Sequence, residues 1–340
     1  MRYLQLIDRQ FSLSTRAPLE LPEDPLIPQA LVRIISFGIN RADLLQRAGY
    51  YPPPPGVTDI LGLEFAGVIE ALTSPDPTGQ IKVGQRVMGI CAGGGYAEQI
   101  IVPRDQLLPI PDGWTYSNAA TLPEVYLTAF DALTSQGQLR SGERVLIHAI
   151  GSGVGVAASL LANLMGAHVD GSTRSKWKKT RALEELPVEH VWISEGGQLK
   201  IDEDLAHKGY DVIIDFIGAA YLNFNIQILR NRGRLVIVGL LGGARAELNL
   251  GLLLSKRAQI VGTVLRSRSD REKIELTQRF AREVLPYFKD QTQVSDTDSY
   301  SQYLQIPYPS HVLSALNVQE AHELLESNQT WSKVICTWEQ

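Results

Sequence analysis

The stretch Val145–Gly155, VLIHAIGSGVG, decides the fold. It reads as a buried strand that runs into a glycine turn and then into a helix from Val154 to Met165, with a second apolar strand, Ala167–Ser172, after it. A glycine-rich turn between strand and helix lets backbone approach a pyrophosphate, and the N–H groups left without partners at the helix N-terminus hold its charge. The spacing departs from the strict G-x-G-x-x-G: after Gly151 and Gly153 the third glycine falls one position early, at Gly155. A loose glycine turn alone is equally a tight strand-to-helix connection, and it is the flanking strands and helix that make this one a nucleotide site.

Outward from that turn, six apolar runs alternate with amphipathic helices: Arg144–Ala149, Ala167–Ser172, His190–Ser194, Asp211–Ile217, Arg234–Leu240 and Ala258–Val264. Near-continuous Val/Ile/Leu strands separated by helices are what a doubly wound parallel sheet covered on both faces requires. The first third differs, with short β-type runs bounded by Gly or Pro at Ala30–Phe37, Phe65–Ala71, Val83–Ile90 and Tyr96–Val102. After Arg266 the pattern turns helical, opening on a Ser269/Glu272 capping box ahead of Ile274, Thr277, Phe280, Ala281, Val284 and Phe288. A polar surface loop, Asp290–Gln302, leads to a last helix at Val318–Glu326 and a strand at Lys333–Thr337. This tail has no core of its own and is expected to pack on the N-terminal unit, which makes the α/β domain an insertion.

The chain has 340 residues, about two domains at roughly 100–200 residues each. A net charge of -5 gives no field for gripping nucleic acid or an anionic membrane, so a small-molecule partner is expected. The two cysteines, Cys91 and Cys336, are far apart and outside any C-x-x-C, which excludes a disulfide framework and a four-thiolate zinc site and fits a reducing compartment. The start, MRYLQLIDRQ, has no signal-peptide pattern, and no run of about 18 apolar residues occurs. A cytoplasmic location is expected.

The end of the second Rossmann strand bears on the nucleotide. An NAD site usually has Asp or Glu there for the ribose hydroxyls. Here the sequence reads Ser172-Thr173-Arg174-Ser175-Lys176-Trp177-Lys178-Lys179, and the only acid nearby, Asp170, comes early and mid-strand. Arg174 and Lys178, helped by Ser175, offer charge for a 2′-phosphate, which favours NADPH; a solvated basic helix start is the alternative. His148 precedes the glycine turn and reads as a packed strand residue rather than a base.

Over nearly its whole length the chain resembles the zinc-free quinone oxidoreductases of the medium-chain dehydrogenase/reductase superfamily, especially their p53-inducible branch. The resemblance rests on NRADLLQRAGYYPPPPG (Asn40–Gly56), LGLEFAGVIE (Leu61–Glu70), GGGYAE (Gly93–Glu98), LPEVYLTAF (Leu122–Phe130), HAIGSGVG (His148–Gly155), GLLGG (Gly239–Gly243) and LRSR (Leu265–Arg268), in the family's order. It implies a GroES-like β-rich catalytic domain, residues 1–124 and 268–340, interrupted by a Rossmann domain, residues 125–267, with NADPH in the cleft between them. It further implies a homodimer joined through the strand Ala258–Val264.

Zinc-dependent relatives carry Cys and His where this chain reads Gly38-Ile39-Asn40 and Gly62-Leu63-Glu64, so no catalytic metal is expected. The resemblance implies a substrate site with Asn40 and Tyr51, supported by Asp43 and Thr128; for Asp43 a helix-start charge is an equal reading. It implies cofactor contacts at Tyr51, Gly151, Ser152, Gly153, Val154, Gly155, Arg174, Ser175, Lys178, Gly239, Leu240, Leu265, Arg266 and Ser267. Ser194 stands where the family often has a tyrosine at the 2′-phosphate, and Arg174 where a glycine is usual. The proline run Pro52–Pro55 reads as a stiff loop at the pocket mouth rather than an SH3 ligand. The expected reaction is metal-free hydride transfer from NADPH to a small quinone. Reduction of an activated C=C bond in an enal or enoyl substrate is the nearest alternative, and a low-turnover NADPH-binding regulatory or structural protein the more distant one.

Overall fold

The structure is a computed structural model describing residues 1–195, 198–199, 201–202, 207–289 and 303–338. The described residues fall into two compact units. One holds Met1–Leu127 together with the segments that begin at Leu265 and at Gln305; the other is Thr128–Val264.

In the first unit the long strand Gln29–Ile39 is the centre of a sheet ordered Pro309–Ser314, Lys333–Thr337, Gln29–Ile39, Glu64–Leu72, Arg86–Ile90 and Leu107–Pro109. A further strand, Gln99–Pro103, pairs with the first half of Gln29–Ile39. Between Ala30 and Ile39 only Arg33 is exposed, because a strand with three partners and both faces covered has no solvent side to make polar. Phe37, Phe65, Tyr96 and Trp338 anchor the core, with the Phe37 and Tyr96 rings 4.7 Å apart. The tail closes this sheet: Val334–Thr337 runs antiparallel to Ser36–Ile39, so the final strand read from the sequence packs where its lack of a core required.

The strand expected from Val83 begins only at Arg86, because Gly84 takes a φ of 82° and Gln85 N–H closes a turn on the Lys82 carbonyl. A hairpin, Arg2–Ile7 with Gln10–Thr15, is an addition to the sequence reading. Its turn residues Asp8 and Arg9 hold φ of 50° and 64°, a mirror-type turn without the usual Asn-Gly signal.

The second unit is built on a sheet ordered Gln198–Leu199, His190–Glu195, His168–Thr173, Arg144–Ile147, Tyr210–Asp215, Leu229–Ile237 and Gln259–Gly262. All but the first of these pair in parallel, giving the 3-2-1-4-5-6 order of a Rossmann sheet. Val145, Leu146, Ile147, Val212, Ile213 and Ile214 are wholly buried, the burial that their unbroken apolar runs demand. The order reverses between Arg144–Ile147 and Tyr210–Asp215, and ligands of such sheets bind outside the carboxyl ends at that point. Among the described residues no helix is long and apolar enough to cross a membrane. The loop read at Asp290–Gln302 lies outside the described residues.

Candidate active site

At the carboxyl end of Arg144–Ile147 the chain turns sharply, with Ala149 at a φ of 48°. Ser152 then caps the helix Gly153–Leu164, its Oγ accepting from the Gly155 N–H at 3.0 Å. The early third glycine has a steric reason: a Cβ on Gly155 would lie 2.5 Å from the Ala149 carbonyl oxygen, so only glycine lets the helix start so close to the turn. Apart from the Gly155 N–H, which Ser152 caps, the first N–H groups of this helix point outward without an intrahelical acceptor, the arrangement that holds a phosphate.

His148 is committed to the interior. Its ring nitrogens meet Ser172 Oγ at 2.7 Å and Asn225 Oδ1 at 2.8 Å, and burial pulls its pKa below the ordinary value. The Asn225 amide donates onward to Asp215, whose Oδ1 also accepts the Ile217 N–H. Asp170 is likewise engaged: its Oδ2 accepts from Arg144 Nη1 and from Tyr210 Oη, both at 2.9 Å, and its Oδ1 from the His190 N–H. That wholly buried carboxylate is no ribose partner.

One strand further, Ser175 stands at the N-cap position of the helix Lys176–Glu185, with Arg174 exposed beside it and Lys178 half-buried, 5.4 Å from the Trp177 ring centroid. Ser194, next to last in the strand His190–Glu195, is buried, its hydroxyl accepting from Tyr221 Oη. Gly239 and Leu240 follow the strand Leu229–Ile237, and Leu240 is exposed. The fold therefore brings the glycine turn, Arg174, Ser175, Lys178, Ser194, Gly239 and Leu240 to one edge of the second unit, the carboxyl edge of its parallel strands.

The other predicted residues lie in the first unit, except Thr128, which follows Glu124 by one turn in the helix Pro123–Phe130. Asn40 is the N-cap of the helix Arg41–Arg47. Asp43 accepts from the Asn40 N–H at 2.8 Å and from the Gly62 N–H at 3.2 Å, and burial raises its pKa to about 6. Its carboxyl group is thus a structural brace between two loops.

The Asn40 side chain is held at both ends. Nδ2 donates to Glu64 Oε1 at 2.8 Å, while Oδ1 accepts from Lys333 Nζ at 2.8 Å. Lys333 also donates to the Ile39 carbonyl at 3.0 Å and forms a buried ion pair with Glu64. Room for that carboxylate comes from Gly38, where a Cβ would fall 2.2 Å from Glu64 Oε1. The second Glu64 oxygen accepts the backbone N–H of Glu124 at 2.9 Å.

Neither Lys333 nor Glu124 was assigned a role from the sequence. Lys333 is one basic residue at the start of an apolar strand, and its meaning arises only when that strand pairs with Ser36–Ile39. Glu124 lies inside LPEVYLTAF as an ordinary first-turn acid. Its carboxylate has no hydrogen-bond donor or paired cation among the described residues. Burial and then the Glu64 charge push its pKa up to about 8, against the pull of Lys333.

Tyr51 is half-buried beneath the Arg266 guanidinium, whose carbon is 5.0 Å from the ring centroid. Arg266 is itself buried and donates to the Ala92 carbonyl at 2.7 Å, Gln46 Oε1 at 2.7 Å and the Tyr51 carbonyl at 3.3 Å. Of the three residues expected on the cofactor here, Leu265 is buried, Arg266 ties the helix Arg41–Arg47 to the Tyr51 and Ala92 loops, and Ser267 is exposed. Burial raises the Tyr51 phenol above its ordinary pKa, so it keeps its proton and can donate.

Residues 27–112 match the model of the alcohol dehydrogenase GroES-like domain, and residues 153–282 that of the zinc-binding dehydrogenases. The chain is 30% identical to mouse quinone oxidoreductase over 78% of its length and 81% of that protein's. It is 34% identical over 64% of its length to a pikromycin polyketide synthase component of Streptomyces venezuelae, of which it spans only 6%. Among solved structures, the quinone oxidoreductase of Thermus thermophilus, also solved with NADPH, superposes with a TM-score of 0.70 at 24% identity, covering 99% of this chain and 100% of that one. With both halves of its fold matched and a full-length relative at that identity, the chain belongs to the medium-chain dehydrogenase/reductase superfamily of oxidoreductases, with quinone oxidoreductases among its relatives.

Proposed function

We propose that this chain is an NADPH-dependent reductase of small quinones that works without a metal. The observation that carries the reading is the Asn40–Glu64–Lys333 cluster. Where zinc relatives place ligands, this chain has an amide engaged at both ends and the buried side chain of Leu63, with an ammonium already seated on Glu64. That donor set does not fit a catalytic zinc ion, which takes three Cys, His or carboxylate ligands and keeps its fourth position open.

The dinucleotide fits the second unit. The Ser152-capped helix start and the Gly155 approach suit the pyrophosphate, and exposed Arg174 with half-buried Lys178 suits a 2′-phosphate. NADPH, when bound, supplies the hydride. The first unit, proposed as residues 1–124 and 268–340 around a 125–267 cofactor domain, then has to hold the acceptor. Tyr51 donates a hydrogen bond to its oxygen, and the second Nδ2–H of the Asn40 amide, which has no acceptor among the described residues, offers another. A quinone is electrophilic enough to need little more than such positioning, because its reduction yields an aromatic ring. The edge strand Gln259–Gly262 carries a homodimer in this proposal, since an apolar sheet edge invites pairing with its copy.

The test is an NADPH-oxidation screen over ortho- and para-quinones and α,β-unsaturated aldehydes, with NADH as control and with chelator present. Quinone turnover that prefers NADPH and ignores chelator supports the proposal; loss of activity in chelator, restored by zinc, overturns it. Glu124 favours the enal reductase as second reading, because a reduced alkene needs a proton at carbon.

A further inference from the structure

The parallel sheet of the second unit has another polar edge, at the amino ends of its strands and opposite the cofactor edge. Three strands deliver side chains there in register: Arg144 stands beside His168, and Asp170 beside His190, with Glu189 immediately before it in the chain. Four of these five are groups that zinc accepts, two imidazoles and two carboxylates. The carboxylates are braced from behind. Asp170 Oδ2 accepts from Arg144 Nη1 and Tyr210 Oη, both at 2.9 Å, and Glu189 Oε2 accepts from Arg144 Nη2 at 2.9 Å. One guanidinium thus fixes both groups and leaves the other oxygen of each toward an imidazole. Asp170 Oδ1, which also takes the His190 N–H, lies 3.1 Å from His190 Nδ1, and Glu189 Oε1 lies 2.5 Å from His168 Nδ1. Hydrogen bonds on the far oxygen of a carboxylate are what a metal site needs beyond its ligands.

We propose that His168, Asp170, Glu189 and His190 form a structural zinc site that clamps the strand His168–Thr173 to its neighbour His190–Glu195. Ligand atoms of Asp170, Glu189 and His190 all lie within 4.8 Å of one another. Tetrahedral zinc, with bonds of about 2.0–2.2 Å, sets its ligand atoms about 3.3 Å apart, so the cluster closes by side-chain rotation without moving the sheet. His168, Glu189 and His190 are 54%, 39% and 45% exposed, which gives the ion a way in, while Asp170 is wholly buried. Charge acts in the same sense. Two carboxylates meet one guanidinium, so with neutral imidazoles one negative charge is unmatched, part of it on a desolvated group. In each imidazole–carboxylate contact the ion takes the place of the Nδ1 proton, which moves to Nε2. Four protein ligands leave no open position, so the ion holds strands together and does no chemistry.

The test is titration of the full chain, stripped with chelator, with Zn(II) and with Co(II) as its spectroscopic substitute. Calorimetry should give one ion per chain, and cobalt should show the intense visible bands of a tetrahedral site. Cobalt should also quench Trp192, whose ring stacks on His190 with centroids 5.5 Å apart; Trp192→Phe should lose that quenching and keep the binding heat. His168→Ala/His190→Ala should lose heat and bands together. The milder Glu189→Gln should weaken binding by at least the roughly 10- to 100-fold that loss of an outer hydrogen-bond partner costs. Zinc should raise the melting temperature of the wild type and leave that of the double variant where it was, and chelator should reverse the rise without slowing turnover. A wild type that binds neither ion, cobalt bound with a pale octahedral spectrum, or undiminished binding in both His168→Ala/His190→Ala and Glu189→Gln overturns the site.

Discussion

Lys333 and Glu64 form an ion pair whose side chains are 3% and 0% exposed, between residues 269 positions apart in sequence. Two desolvated charges of this kind add little net stability while paired, but removing one strands the other. Lys333→Met should therefore destabilise the protein by about 3–5 kcal/mol, read as a lower urea midpoint at unchanged slope. Adding Glu64→Gln to that variant should recover much of the loss. A double variant as unstable as the sum of the two single changes would show that the pair acts through something other than charge.

Tyr51 and Asn40 should separate under mutation. Tyr51→Phe removes one orienting hydrogen bond to the acceptor, about 0.5–1.5 kcal/mol, and should slow quinone turnover roughly three- to tenfold without moving the melting temperature. Asn40→Ala also strips a partner from both Glu64 and Lys333 and should lower both rate and stability. Parallel activity and thermal-melt measurements distinguish the two patterns.

Arg174→Ala/Lys178→Ala should weaken NADPH binding by about 1.5–3 kcal/mol per lost charge-assisted contact, roughly tenfold or more, and leave NADH binding unchanged. Fluorescence titration of both cofactors reads this directly. Equal loss for NADPH and NADH would assign the two cations to a feature the cofactors share.

Glu124 makes stability depend on pH in a definite direction. Its pKa rises from an ordinary 4.5 to about 8 on folding, so between these values the folded chain keeps a proton that the unfolded chain releases. Stability from this group is full below about pH 4.5, falls as pH rises through that window and is lost above about 8. Asp43 acts in the same sense between 3.8 and about 6. Glu124→Gln should flatten the melting-temperature profile between about pH 6 and 8 and melt above the wild type at pH 9.

Much of the fold was legible because burial leaves a periodic trace. The runs around Val145–Ile147 and Val212–Ile214 are apolar throughout, since both faces are covered. The Ser269/Glu272 box opens its helix as read, and the final helix and strand hold their expected limits. The Asp8–Arg9 hairpin was not legible, because its turn uses residues that rarely take positive φ. Asn40, Asp43 and Tyr51 were named as candidates because they stand in segments that resemble the family. Lys333 and Glu124 were not: each gains its role from partners far along the chain, and nothing local marks a lysine or a first-turn glutamate as unusual. The contacts of Arg266 were no more legible, since they join the helix Arg41–Arg47 and the Tyr51 and Ala92 loops, all far from it in sequence.

The closing strand that carries Lys333 also sets a schedule for the nascent chain. A ribosome that has made the first 127 residues has already produced Asn40, Asp43, Glu64 and Glu124, and with them most of the strands of the first sheet. The cation that neutralises their buried charge emerges only after the whole parallel-sheet unit has been synthesised. Until then Ser36–Ile39 lacks the partner on one of its sides and Glu64 lacks its counter-charge. A chain at that stage exposes an unpaired strand edge, the condition in which newly made chains depend on chaperones.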